Sequence, residues 1–175
     1  MSNSATPLLQ APPSGRYVLD TSASTVAVTT RHLFGLGWVR GRFAVDQGSV
    51  VIADRVEDST VNVDVAAASF STRNPVRDIQ VRSLLFLNSR RHPAITFWAD
   101  GVRRRDDAWA LSGTLTVKGR SGPVELTVTG VEVRGATVVY TAEGTVDRYA
   151  LGVTAMRGMA ARHLSVTVTA HTHRV

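Results

Sequence analysis

Strict alternation of apolar and polar residues, repeated along most of the chain, limits it to β-structure with one dry and one wet face. In Val39-Arg40-Gly41-Arg42-Phe43-Ala44-Val45, Val39, Gly41, Phe43 and Val45 fall on one side and Arg40 and Arg42 on the other. Val61-Asn62-Val63-Asp64-Val65 repeats the pattern, and Thr25 to Arg31 sets Val26 and Val28 against Thr25, Ala27 and Thr29. Trp109 to Val117 does the same with Leu111, Gly113, Leu115 and Val117. Successive side chains of a strand point to opposite faces, so this spacing puts the valines in an apolar interior and the polar residues in water. Further runs at 95–99, 124–129, 138–146 and 164–170 bring the expectation to eight or nine Thr- and Val-rich strands, with 152–162 as a longer loop. Arg103-Arg104-Arg105 followed by Asp106-Asp107 reads as a charged hairpin tip, and 119–123, with two glycines and a proline, as a turn.

One stretch breaks the alternation. Asn74-Pro75 has the residues of a helix start, Asn as N-cap and Pro at the first helical position. Val76, Ile79 and Ser83 or Leu84 then share one face, so a short helix is expected that ends between Leu84 and Asn88. A Leu-Leu-Phe-Leu cluster, Leu84 to Leu87, closes it. The fold expected is all-β: an antiparallel eight-stranded barrel with one short helical insert at about 75–87, placed to act as a lid. Residues 1–14 hold three of the six prolines and no periodicity, and read as a mobile lead-in to a single domain over 15–175. The 175 residues, 43% of them hydrophobic, are enough for one buried core and show no second composition regime.

Closure removes exposed strand edges, and eight strands leave an interior that side chains fill or that holds one ligand. The inward faces carry mostly Val, Ala, Gly and Leu, which favours a hollow barrel over a packed sandwich; the pattern alone allows both. Strands of seven to nine residues span about 25–30 Å, which suits an extended chain. Each methylene moved from water into such a lumen gains about 0.8 kcal/mol, so a long chain binds there without directional contacts.

Other chemistry is thinly represented. The chain has no cysteine, hence no disulfide, thiolate metal site or Cys nucleophile. No Gly-x-Ser-x-Gly elbow, phosphate loop or His-Glu-x-x-His is present, so no catalytic residues are assigned and no enzyme is expected. His171 and His173 share a strand face without a third ligand nearby, and neither a metal nor a cofactor is expected. The net charge of +6 is carried by arginine, Lys118 being the only lysine, and favours anionic partners. Trp38 beside Arg40 and Arg42 leaves a nucleic-acid-binding barrel as an alternative from another class. No apolar leader is visible in residues 1–16 and no apolar run approaches the roughly 18 residues of a membrane span, so a cytoplasmic protein is expected.

The ordered motifs between Gly15 and Ala170 resemble those of the YceI-like family. Thr72, Asp78, Val81, Arg82, Ser83, Phe86 and Leu87, then Pro93, Ile95 and Phe97, match its central pattern. Tyr17 to Asp20, His32, Gly41-Arg42-Phe43, Gly113 to Gly119 and Asp147 to Gly152 match the flanking parts in order. The resemblance implies a lipocalin-like barrel that binds, stores or transports a polyisoprenoid, with a quinone or phosphate headgroup, or else a fatty acid or fatty amide. It is compatible with a homodimer and with transient contact with an anionic membrane surface; no nucleic acid is expected.

The lining expected on this reading is Val26, Val28, Phe43, Val63, Phe86, Phe97, Leu115 and Val166. Polar candidates for the mouth are His32, Asp78, Arg82 and Arg148. Asp78 and Arg82, four apart on the helix, orient a headgroup or pair with each other. Arg148 meets a ligand anion or forms a salt bridge with Asp78 or Asp147. His32 bonds a headgroup or a neighbouring carbonyl.

Overall fold

A computed structural model describes residues 9–32 and 36–175. Nine strands alternate along the chain: β1 Gly15–Leu19, β2 Thr25–His32, β3 Gly37–Ile52, β4 Thr60–Ala66, β5 Ala94–Arg105, β6 Ala108–Val117, β7 Arg120–Arg134, β8 Thr137–Asp147 and β9 His163–Arg174. Each of β2 to β9 pairs antiparallel with the next, and β9 returns to β2 through Val26↔Val168 and Val28↔Val166, which closes the ring. β1 does not add a position. It pairs with the far end of β3 (Gly15↔Ile52) and of β9 (Tyr17↔Arg174), in line with β2. The two are one interrupted strand, broken where the Asp20 carboxylate accepts the Ser22 N–H at 2.9 Å and the Ser22 hydroxyl at 2.6 Å. The result is the expected closed eight-position barrel.

Local chemistry fixes the ends of these strands. Lys118 and Gly119 both adopt positive φ, 53° and 75°, the geometry of a two-residue hairpin turn. The turn expected over 119–123 is therefore shorter than the Gly and Pro content suggested, and Pro123 lies inside β7 opposite Thr114. The charged tip after β5 is as expected, with Asp106 at φ 52° between β5 and β6. Register shifts at Val45/Gln47, Ala99/Gly101 and Val128/Gly130 are bulges, which bend strands into a barrel wall.

The insert folds as α1, Pro75–Arg82, with the Asn74 side chain accepting the Arg77 N–H at 3.1 Å. It stops earlier than the apolar pattern suggested because the Arg82 carbonyl is taken by the N–H and hydroxyl of Ser89 (2.9 and 3.1 Å). Its orientation also differs from expectation. Val76 and Ile79 face solvent, 79% and 67% exposed, while Asp78 is buried. Ahead of β1, the described part of the lead-in lies against the barrel: Leu9 O accepts from Trp109 Nε1 at 3.2 Å and Arg104 at 3.3 Å. Among the described residues no helix is long and apolar enough to cross a membrane.

Candidate ligand-binding lumen

The barrel is hollow at the α1 end, with a cavity of about 400 Å³ in the size range of about 300–1,000 Å³ typical of ligand pockets. Val26, Val28, Phe43, Val63, Leu115 and Val166 line its wall, each at the inward position that the alternation assigned. Phe97 stands at the deep end, and Phe86 closes the near end from below α1. Two wall glycines are filled rather than vacant. A Cβ on Gly113 would stand 2.6 Å from the Phe97 ring, and one on Gly41 would overlap Phe70, whose ring packs 5.0 Å from that of Phe43. Glycine here lets an aromatic ring lie flat on the wall, so small residues inside this barrel do not all translate into free space.

The mouth is covered from two sides. One cover is α1 with its following turn, through Gln80, Val81 and Leu87. The other is the segment between β8 and β9, which supplies Leu151, Val153, Met156 and Met159 and touches α1 where Gln80 Nε2 lies 3.5 Å from Met156 Sδ. Sequence reasoning left this second cover as a plain loop. Its signal was the apolar content: four large apolar side chains in a stretch without strand periodicity need something to cover. Methionine, unbranched and adaptable, suits a surface that must close over a flexible chain.

The polar candidates do less at the lumen than expected. Asp78 and Arg82 do not pair with each other, and neither lines the cavity. Asp78 accepts the Thr72 N–H at 2.8 Å and the Thr72 hydroxyl at 2.6 Å, and Arg82 Nε donates to Phe70 O at 3.0 Å. Both side chains therefore pin the 70–72 segment to the helix, which explains why α1 turns its Asp78 face inward. Burial pushes the Asp78 carboxyl up, but the Thr72 bonds and the nearby Arg82 charge outweigh it, and the net shift is downward. The side chain of His32 lies outside the described residues.

Arg148 is the polar candidate that reaches the cavity, and it is buried (5% exposed). It forms no salt bridge with Asp78 or Asp147. Its guanidinium donates instead to four backbone carbonyls: Val153 and Ala155 at 2.8 Å, Ala161 at 2.8 Å and Ala160 at 2.9 Å. Asp147 is taken by Arg162, which donates to it at 2.6 to 3.0 Å. A family model described as the YceI-like domain matches residues 17–173.

The chain belongs to the YceI-like family.

Among curated relatives it is 34% identical to a UPF0312 protein of Azotobacter vinelandii over 112 residues, 62% of this chain and 58% of that one. It is 31% identical to Protein YceI of Escherichia coli O157:H7 over 113 residues, 63% of this chain and 59% of that protein. The matched part thus spans just under three fifths of those two relatives. Among solved structures, BcnA of Burkholderia cenocepacia superposes with a TM-score of 0.76 at 18% identity, over 87% of this chain and 98% of that one. A polyisoprenoid-binding domain from Saccharophagus degradans gives 0.66 at 14% identity, over 91% and 98%. At these identities the shared property is the barrel.

Charge at the mouth of this family member is lopsided. Arg148 has no carboxylate partner among the described residues, and burial pulls its pKa below the ordinary arginine value. Arg148, Arg157 and Arg162 all stack against Tyr149, at 4.8, 4.9 and 5.4 Å from its ring centre. Among the described residues only Arg162 of the three has a carboxylate partner, Asp147, whose carboxyl the Arg162 hydrogen bonds hold down to about 2. The cavity is therefore apolar over most of its wall, with Arg77 and Arg148 as the cations in its lining.

Proposed function

We infer that this protein binds one long-chain apolar molecule in the barrel lumen and stores or carries it without chemical change, a polyisoprenoid being the first candidate class. The observation that carries this reading is the apolar cavity beneath two closing segments. Such walls reward every buried methylene and specify no functional group. The family membership and the polyisoprenoid-binding neighbour support the ligand class. Arg77 and Arg148, which line the cavity without a carboxylate partner among the described residues, support an anionic headgroup such as a phosphate, and a quinone, fatty acid or fatty amide is the competing occupant of the same lumen.

Loading follows from the outside of the lid in this reading. Leu84 and Leu85 are 70% and 61% exposed beside Val76 and Ile79, and Arg73, Arg90 and Arg91 stand exposed around them. Apolar side chains fringed by cations, on the outside of the cover over the lumen, match the surface of an anionic bilayer. The nucleic-acid alternative needs a free aromatic platform. Trp38 is exposed, but the Arg31 guanidinium lies 4.5 Å over its ring, which favours the lipid reading. Titration of the purified protein with a series of polyprenols, followed by native mass, tests the assignment. A one-to-one adduct is expected, and a chain that takes up neither polyprenol nor fatty acid overturns it.

A further inference from the structure

A second, smaller cavity of about 110 Å³ lies at the pole opposite α1, over the segment ahead of β1, from which Ala11 and Pro12 face it. It is separate from the lumen, and four side chains line both: Val63 of β4, Phe97 of β5, Leu126 of β7 and Val168 of β9. Residues that bound two cavities stand between them. These four are packed, not spread. Phe97 and Val168 lie on the same buried cluster as Leu126, and Val63 pairs with Phe97 across β4 and β5.

The strands between them, β6 and β8, carry glycine at this layer. On β6 Leu111 lines the second cavity and Leu115 the lumen, with Gly113 between; on β8 Ala142 and Val146 do the same, with Gly144 between. Neither glycine leaves a gap. A Cβ on Gly113 would stand 2.6 Å from the Phe97 ring, and one on Gly144 would stand 2.6 Å from Leu126 Cδ2. Each glycine thus yields its place to the large side chain of the strand before it. The interior of an eight-position barrel is narrow enough for side chains to fill, and at this layer they fill it.

We propose that this layer, with Phe97 as its largest member, is a floor that sets the length of chain the lumen accepts. The inference rests on the carrier reading and adds a specificity determinant to it. An apolar cavity of about 150 Å³ takes up one benzene, so the lumen's volume of about 400 Å³ has room for roughly sixteen carbons. Arg77 and Arg148 line the lumen at its lid end, where they hold an anionic head and direct the tail at Phe97. Methylenes beyond the sixteenth or so then stay at the mouth, in water, and add nothing to affinity. The space behind the floor, about 110 Å³, is worth roughly four more carbons by the same ratio.

Competition binding with saturated fatty acids, from decanoic to tetracosanoic, tests the floor, and a parallel series of linear prenols reads it in isoprene steps. In the native chain affinity is expected to climb by up to about fourfold per methylene and to level off near sixteen carbons. In Phe97→Ala the levelling point should move about four carbons or more towards longer chains. Phe97→Leu, a milder loss of volume, should move it the same way by a smaller step, and thermal melting of both variants shows that folded protein is being titrated. Affinity that climbs to the end of the native series, or a levelling point that stays in place in the folded variants, overturns the floor and leaves the carrier reading standing. If no member of either series binds, the carrier reading itself falls and this inference with it.

Discussion

Arg148 commits four of its five N–H groups to the carbonyls of its own loop, which leaves a ligand one donor and an unneutralised positive charge. Its first duty is therefore to hold the 153–161 segment in a conformation that closes the lumen. Arg148→Met would strand those carbonyls, and a loss of about 3 kcal/mol in stability is expected by denaturant titration. Arg148→Lys should recover little, because an ammonium cannot reproduce the planar fork. The neighbouring Asp147 makes the same segment acid-sensitive. Its carboxyl titrates at about 2 in the folded chain against 3.8 in its absence, and the contribution of the Arg162 pair is thus complete above about pH 4 and fades as pH falls towards 2. The depressed Asp78 carboxyl acts in the same direction. Thermal midpoints should hold level above about pH 5 and decline between pH 4 and 2, and Asp147→Asn should flatten part of that decline. At this scale the lining residues were legible, because alternation alone orients Val28, Phe43 or Leu115. Arg148's carbonyl partners were not, since they depend on contacts between segments that no spacing rule connects.

Among the elements, the strands follow from period-two patterning and α1 from its Asn-Pro start, but the face α1 buries does not follow from its apolar spacing. In a helix of eight residues, four hydrogen bonds that tie Asp78 and Arg82 to the 70–72 segment decide the orientation, and they turn Val76 and Ile79 outward. An apolar face left exposed over the lumen has a consequence that can be measured. Co-sedimentation with vesicles containing phosphatidylglycerol should be strong at low salt and fall as salt rises. Ile79→Asp with Leu84→Asp should reduce it several-fold without lowering affinity for a soluble lipid probe, since neither side chain lines the lumen. Retention of vesicle binding by that variant would contradict the docking face.

Taken whole, the molecule is a closed wall around a cavity, with a two-part lid at one pole and the segment ahead of β1 at the other. Closure and strand count were readable from the sequence. The hollow was only partly so, because inward glycines at 41 and 113 are roofed by phenylalanine rings while valine-lined stretches stay open. The central claim is that this hollow holds a long apolar chain. Purification without detergent, native mass of the intact protein and organic extraction for mass spectrometry test that claim most directly. The account predicts one long-chain molecule per barrel, lost on extraction and restored by adding it back. A protein that emerges at its bare mass, and stays there after incubation with polyprenols and fatty acids, would contradict it.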